Sequence, residues 1–195
     1  MTEDARGGGR GARDRITSAA AVLFYRDGIH ATGVESIIQH ARVSKRTLYR
    51  HFSSKDELVE DYLRNLDRCA ASPMEQGLNR TDLSPRERLL AVFAIPPTGR
   101  FRGCPFHNAA VESAGEWATV EDIVRAHKRR FADAVVAVAR LTEAADPYIL
   151  GQQILVLLEG ATSLATSLND SAPLAHARAA AVALIDAAEM ERLSE

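Results

Sequence analysis

Apolar residues return at helical spacing along almost the whole chain, and this periodicity constrains the fold more than any other feature. Near the N-terminus they fall at Ile16, Ala19, Ala20, Leu23 and Phe24. That spacing places them on one face of an α-helix. The alternation of polar and apolar residues that marks half-buried strands is hard to find anywhere. The sequence therefore predicts an all-α protein.

Composition agrees with a helical protein and excludes several classes. Hydrophobic residues make up 46% of the 195 residues, aromatic residues only 6% and charged residues 26%, which is typical of a soluble helical chain. No segment approaches about 20 uninterrupted apolar residues, so we expect a cytoplasmic protein without a membrane span. Cys69 and Cys104 are too few and too far apart for a disulfide scaffold or a paired-cysteine metal site. We therefore predict no cofactor and no metal.

Charge is unevenly distributed along the chain. Residues 1–55 contain ten basic and five acidic residues, a net charge of +5, whereas the remaining residues carry 14 basic and 21 acidic ones, a net charge of −7. A basic N-terminal module on an acidic body indicates that the first part meets a polyanion and the second does not.

The N-terminal module has the pattern of a helix-turn-helix. The first helix ends near Gly28, and a second, short helix opens at Thr32, whose hydroxyl is predicted to cap it. Ser44 is predicted to cap a third helix from Lys45 to about His51. Because Val43, Leu48 and Phe52 supply its buried side, the exposed side consists of six mostly hydrogen-bond-donating residues: Lys45, Arg46, Thr47, Tyr49, Arg50 and His51.

A helix of this kind fits the major groove of DNA, where its first side chains face base edges and later ones flank phosphates. Arg46 is the best candidate for a base contact, since a guanidinium can pair bidentately with guanine. Lys55, at the start of a fourth helix, can help to hold one phosphate. Two simpler interpretations stay open: the basic residues could be an ordinary solvated surface, and Tyr49 and His51 could pack against neighbouring helices.

The run from Arg15 to Leu58 resembles the DNA-binding domain of tetracycline-repressor (TetR) family regulators. The matching elements are Ile16, Ala19-Ala20, Leu23-Phe24, Gly28, Thr32-Gly33-Val34, Ile37, Ala41, Val43-Ser44, Thr47-Leu48-Tyr49-Arg50-His51-Phe52 and Ser54-Lys55-Asp56-Glu57-Leu58. The resemblance implies that phosphates are contacted by Thr32, Ser44, Thr47, Tyr49, His51 and Lys55. It also implies that Lys45 and Arg46 reach bases, although many relatives carry Gly where this chain has Arg46.

The expected organisation has three parts: a disordered basic tail over residues 1–12, a three-helix helix-turn-helix domain over 13–54, and a helical ligand-binding and dimerisation domain over 55–195, with about nine helices in all. The predicted helices at 147–168 and 173–190 are apolar around much of their circumference and need cover on more than one side. Pairing them with a second copy gives a homodimer that binds a double-stranded DNA operator at successive major grooves. The alternative is that they only complete the core of a monomer.

A ligand pocket is implied in the body by the resemblance, and residues 102–112 resemble a pocket helix of a TetR subgroup. We expect the pocket to bind an unidentified small-molecule effector. The aromatic and histidine side chains predicted to line it are Tyr62, Phe93, Phe101, Phe106, His107, Trp117, His127, Phe131 and Tyr148. Any one of them could instead be an ordinary core residue.

Cys104 supports two alternative functions. It precedes Pro105 at a predicted helix N-terminus, where a thiolate is stabilised, so a regulator that senses oxidants or electrophiles is possible. A hydrolase that pairs Cys104 with His107 or His127 lacks a third orienting group and an oxyanion motif. A non-specific architectural DNA-binding protein would not need so large an acidic body. A ligand-responsive repressor without enzymatic activity is the function that the sequence favours.

Overall fold

Every element of regular structure in residues 10–69, 72–94 and 101–192, which this computed structural model describes, is an α-helix. The helices are α1 (Arg10–Asp27), α2 (Val34–Ala41), α3 (Lys45–His51), α4 (Lys55–Arg68), α5 (Pro73–Leu78), α6 (Pro85–Ala91), α7 (Pro105–Glu112), α8 (Ala118–Ala139), α9 (Pro147–Leu168) and α10 (Ala172–Arg192). The all-α prediction is confirmed. The helix that was not anticipated is α5, because its six residues are too few to display an apolar period.

The first helix starts earlier than expected. Residues 10–12 were assigned to a disordered tail, but α1 begins at Arg10 and Ala12 is buried. Burial of that side chain stabilises the extra turn, which contains Gly11 and has low intrinsic helix propensity. Residues 1–9 of the predicted tail lie outside the described residues.

One compact unit comprises residues 10–68 and 105–124, so that α4, α7 and the beginning of α8 group with the N-terminal helices. Helix α1 is central to it and packs against α2, α3 and α4. Its core contains side chains from all four of these helices, among them Ile16, Phe24, Ile37, Leu48 and Leu63. The domain boundary expected at residue 54 stays a prediction.

The second unit comprises residues 69–104 and 125–192 within the described ranges. Helices α9 and α10 pack along each other, and α6 packs against α5 and α10. Phe93, Val135, Leu150, Ile154 and Leu174 belong to its core. Gly151 of α9 allows α8 to approach closely, because a Cβ there would lie 2.7 Å from Cγ2 of Val136.

Several helix starts follow from capping residues visible in the sequence. Ser84 accepts a hydrogen bond from the backbone of Glu87 and Glu87 accepts one from the backbone of Ser84, with Pro85 in the first turn of α6. Asp146 accepts hydrogen bonds from the N–H groups of Tyr148 and Ile149 at the start of α9. Local side-chain chemistry therefore sets where these helices begin.

Candidate nucleic-acid interface

The turn between α2 and α3 is tight and locally determined. Arg42 ends α2 in the left-handed region, with φ 52°, and its N–H donates to the carbonyl of Gln39. The N–H of Val43 donates to the carbonyl of Ile38. These bonds end one helix and redirect the chain within three residues, which is the connection that a helix-turn-helix requires.

Helix α3 spans Lys45–His51, as predicted, and Ser44 caps it by accepting a hydrogen bond from the N–H of Thr47 at 3.1 Å. The two hydroxyl oxygens of Ser44 and Thr47 also lie 2.9 Å apart. Leu48 and Phe52 are buried and hold the helix to the unit's core. The backbone of α3 is therefore fixed from its first residue and from its inner face.

The outer face of α3 presents polar side chains to solvent. Lys45, Arg46 and Arg50 are exposed, and Tyr49 keeps 45% of its surface accessible, which argues against the interpretation that Tyr49 packs between helices. Arg46 and Arg50 make no hydrogen bond or ion pair with any described residue. Lys45 Nζ lies 2.9 Å from Oε1 of Glu35 on α2. The face offers two unengaged guanidinium groups, one paired ammonium and a phenol.

Two residues proposed to contact phosphate are placed differently from the expectation. Thr32 is buried, and its hydroxyl donates to the carbonyl of Gly28 at 2.6 Å instead of capping α2, whose N-cap is Gly33 without a side-chain bond. The capping prediction is wrong because the hydroxyl satisfies the α1–α2 turn. His51 is half-buried, and its Nε2 is buried without a hydrogen-bond partner among the described residues. Neither the Thr32 hydroxyl nor the His51 Nε2 faces solvent.

Lys55 begins α4, as expected for a residue beside a helix N-terminus, but its ammonium is engaged with the protein. Its Nζ donates to the carbonyl of His30 at 3.5 Å. Partial burial lowers the pKa of Lys55, and the negative charges of Glu112 and Asp56 oppose that shift. A cation in this position binds the α1–α2 loop and can also attract a phosphate.

The C-terminal end of α7 contacts the α1–α2 loop, an arrangement that sequence reasoning missed. The His30 N–H donates to the Glu112 carboxylate at 2.8 Å, and the His30 ring hydrogen-bonds through Nε2 to the Glu112 carbonyl. Gly28 has φ 99°, and a Cβ there would lie 3.3 Å from the same carboxylate. The partners are separated by 82 residues in sequence, so no local pattern signals them.

Trp117, which the sequence analysis predicts to line a ligand pocket, lies at this junction. Its ring stacks on His30, with centroids 5.4 Å apart and planes at 22°. We call His30, Glu112 and Trp117 the loop clasp. It connects α7 and the α7–α8 turn to the loop that precedes α2.

The other predicted pocket residues are divided between the core and the surface. Tyr62 is buried against Phe24 in the first unit, with ring centroids 5.6 Å apart, while His107 and Tyr148 are exposed on their helices. Residue type alone does not tell which way a helical side chain faces, and the role of these three residues as ligand contacts stays a prediction. Phe106 is buried on α7.

The remaining pocket residues lie in the second unit. Phe93 is buried in its core, and Phe101 and Phe131 pack against that core. His127 is buried with its Nδ1 4.0 Å from Oε1 of Glu75. This unit thus contains aromatic side chains together with a buried histidine that lies close to a half-buried glutamate.

Candidate metal ligands and thiols were located in the described part of the chain. It contains no group of three or more histidine, cysteine, aspartate or glutamate residues placed to hold a metal ion. Cys69 is exposed and Cys104 is half-buried, and both are free thiols.

Comparisons with known proteins agree with the geometry. Residues 16–62 match the family model described as bacterial regulatory proteins, tetR family. The chain is 36% identical over 81 residues to the HTH-type transcriptional repressor KstR2 of Mycolicibacterium smegmatis, a match that covers 42% of this chain and 39% of the relative. It is 40% identical over 79 residues to the transcriptional activator FasR of the same organism, covering 40% and 36%. The matches span about two fifths of these curated relatives.

Solved structures extend the similarity to nearly the whole chain. SCO4454, a TetR-family transcriptional regulator from Streptomyces coelicolor, is 26% identical with a TM-score of 0.79, covering 92% of this chain and 97% of that one. A TetR-type regulator from Streptomyces avermitilis is 29% identical with a TM-score of 0.73, covering 91% and 98%. These similarities give no support to a redox sensor or a Cys-His hydrolase. Residues 16–62 therefore carry the DNA-binding domain of the tetR family of regulators, and the fold of nearly the whole chain is similar to that of TetR-family regulators of known structure.

Proposed function

We propose that this protein is a transcriptional repressor that binds a palindromic DNA operator as a dimer and is released by a small molecule. The observation that carries the proposal is the outer face of α3, where Arg46, Tyr49 and Arg50 are exposed on a helix fixed by the Ser44 cap. A short, rigid helix with exposed hydrogen-bond donors is what major-groove reading requires.

Each side chain of the interface has a proposed role. Arg46 pairs with a base, because its guanidinium has no partner among the described residues and lies in the first turn of α3. Ser44, Thr47 and Tyr49 contact phosphates beside the groove, and Arg50 adds positive charge near the backbone. Lys55 contributes a further cation at the start of α4.

The dimer is proposed to form through α9 and α10. Helix α9 exposes a row of residues four apart, in which Val156 is 72% exposed, Leu164 55% and Leu168 63%, with Gly160 between them. Helix α10 exposes Met190 and a series of alanines on its accessible side. Exposed apolar residues in a contiguous helical row indicate a surface that a second copy covers.

The effector is proposed to bind in the second unit. Phe93, Phe101 and Phe131 supply apolar surface there, and the His127–Glu75 pair supplies a polar group that could orient a ligand. The loop clasp offers a physical means of response, because any displacement of α7 changes its contacts with the α1–α2 loop and with Lys55.

A cytoplasmic location is part of the proposal. Among the described helices, α9 alone is long and apolar enough by length and composition to cross a membrane, and 39% of the relevant segment is buried. Core helices of globular proteins meet the same criterion. The packing of α9 along α10 favours a core helix over a membrane span, as do the polar residues Gln152, Gln153 and Glu159 in the middle of its sequence.

Binding to the promoter region beside the protein's own gene tests this function. We expect a mobility shift that weakens steeply with salt and persists against unrelated competitor DNA. Arg46→Ala and Tyr49→Ala should both weaken binding, Arg46→Ala by about 10-fold to 100-fold if one bidentate base contact is lost. Arg64→Ala, which removes an exposed arginine paired with Glu60 on α4, is the matched control and should leave affinity unchanged. Equal affinity for promoter and unrelated DNA, or wild-type affinity in both α3 variants, would overturn the assignment.

A further inference from the structure

One cation on α3 differs from the others. Arg46 and Arg50 have no partner among the described residues, whereas Lys45 Nζ pairs with the Glu35 carboxylate at 2.9 Å. Lys45 is the first residue of α3, the position from which a recognition helix approaches base edges. The carboxylate of Glu35 therefore lies beside the N-terminal end of α3, the end from which the helix would approach base edges.

The position of Glu35 explains its ionised state. Glu35 lies in the first turn of α2, where free N–H groups favour a negative charge. The hydrogen bond from Lys45 is the main cause that lowers the pKa of Glu35, and the same bond raises the pKa of Lys45. Both groups stay charged at neutral pH.

The pair contributes little to the fold. The side chains of Lys45 and Glu35 are 62% and 69% exposed, and ion pairs this accessible to water contribute little to the stability of a fold. Such a pair exchanges easily for a stronger contact. Its larger effect is on DNA, because a carboxylate repels phosphates and competes with them for the ammonium.

We propose that Glu35 is a specificity-determining residue that acts through Lys45. By pairing with Lys45, it withholds that cation from the phosphates of unrelated DNA. Lys45 leaves Glu35 only where the operator presents base acceptors such as guanine O6 and N7. Glu35 is thus a positioning residue, and the inference rests on the proposed DNA-binding function.

The test compares specific and unspecific binding as a function of salt. The specific probe is a duplex selected from a randomised pool by the wild-type protein, and the unspecific probe is a shuffled duplex of the same composition. The proteins are the full-length wild type, Glu35→Gln, Lys45→Met and the double variant. Glu60→Gln is the control, because Glu60, whose side chain is 23% exposed, forms an ion pair with Arg64 on α4, outside the α3 face.

In Glu35→Gln, the freed Lys45 should contact a phosphate of the shuffled duplex. Affinity for that duplex should then rise on the order of threefold to tenfold at low salt, with a salt slope steeper by about 0.9 per protomer. Affinity for the selected duplex should change less, so the specificity ratio falls. Introduced into Lys45→Met, the same substitution should leave the slope unchanged. Glu60→Gln should match the wild type on both probes.

Three results would reject either the role of Glu35 alone or the proposed DNA-binding function as well. An unchanged slope in Glu35→Gln rejects the inference. An equal steepening in the Lys45→Met background also rejects it, because the carboxylate would then act on phosphates directly and not through Lys45. Failure of the wild type to enrich any duplex, or to prefer the selected one, rejects the proposed function itself together with the inference.

Discussion

The surface around α3 and the surface formed by α9 and α10 are both exposed, but they differ in chemistry and in how much of their structure one chain fixes. The first is polar, and its backbone is fixed within one chain by the Ser44 cap, the Arg42 turn and a buried inner face. The second is apolar, with Val156, Leu164 and Leu168 accessible in a row. The proposed DNA-binding surface is thus structurally complete in one protomer, whereas we propose that a second protomer covers the α9–α10 surface.

The largest effect is expected from Gly160→Leu. A Cβ at Gly160 meets no atom within 4 Å, so the protomer should fold normally, whereas a dimer packed on this face would be held apart. We expect a monomer by analytical ultracentrifugation. Operator affinity should fall by at least about 100-fold, since the two α3 helices of a dimer are no longer joined. Gly151→Ala is the contrasting variant: its Cβ would clash with Val136 and should destabilise the protomer itself. A Gly160→Leu variant that remains dimeric would place the interface elsewhere.

A smaller effect is expected from Gly28→Ala, which tests how much the loop clasp stabilises the first compact unit. Its φ of 99° disfavours any side chain, and the new Cβ would crowd the Glu112 carboxylate. We expect a loss of about 1–3 kcal/mol in the free energy of unfolding, measured by urea denaturation.

Gly115→Ala is the matched control for Gly28→Ala. It also has positive φ, at 78°, but a Cβ there meets nothing within 4 Å. It should therefore lose less stability than Gly28→Ala and leave DNA affinity unchanged. Equal losses in the two variants would show that contact with Glu112 contributes nothing beyond backbone strain.

Removal of a helix cap should distinguish an effect on folding stability from an effect on DNA binding. Ser44→Ala and Ser84→Ala each delete a hydroxyl that caps a short helix, α3 in one unit and α6 in the other. Each should cost about 1 kcal/mol, a melting-temperature decrease of about 2–4 °C by calorimetry. Only Ser44→Ala should also weaken operator binding. If Ser84→Ala weakened it equally, the reading surface would not be independent of the second unit.

The smallest effect concerns pH. Hydrogen bonds from the Ser53 hydroxyl and N–H lower the pKa of Glu57, and bonds from Ser84 do the same for Glu87. A lowered folded-state pKa means that the ionised carboxylate stabilises the fold above its ordinary pKa of about 4.3. This stability is lost as pH falls through the lowered value.

Glu57→Gln and Glu87→Gln should therefore destabilise slightly at pH 6 and converge with the wild type in the acid range. Urea denaturation at several pH values measures the difference. A stability difference that does not change with pH would contradict the assignment for that carboxylate. Similar curves for both variants would show that the two units use the same capping chemistry.

What could be predicted from the sequence was local. Helix α3 and its Ser44 cap, the Pro147 start of α9 and the all-α class follow from residues within one or two turns of each other. Thr32 has the residue type of a cap, but a turn bond to Gly28 binds its hydroxyl. The Glu35–Lys45 pair joins two helices and the loop clasp joins α7 to the α1–α2 loop, and neither has a signature in the periodicity.

Pocket residues were the least predictable. Tyr62, His107 and Tyr148 were chosen by residue type, and the structure places the first in a core and the other two at the surface. An apolar period identifies the inner face of a helix. It does not tell whether that face meets another helix, a ligand or a second copy.

The stoichiometry of the DNA complex shows whether DNA binding by α3 depends on the proposed pairing through α9 and α10. Sedimentation with a selected palindromic duplex and with a single half-site duplex measures both mass and affinity. We expect two protomers on the palindrome, with half-site centres about 34 Å apart or a multiple of that distance. Binding to the half-site duplex should be weaker by at least about 100-fold. One protomer bound to a half-site as tightly as to the palindrome would contradict it.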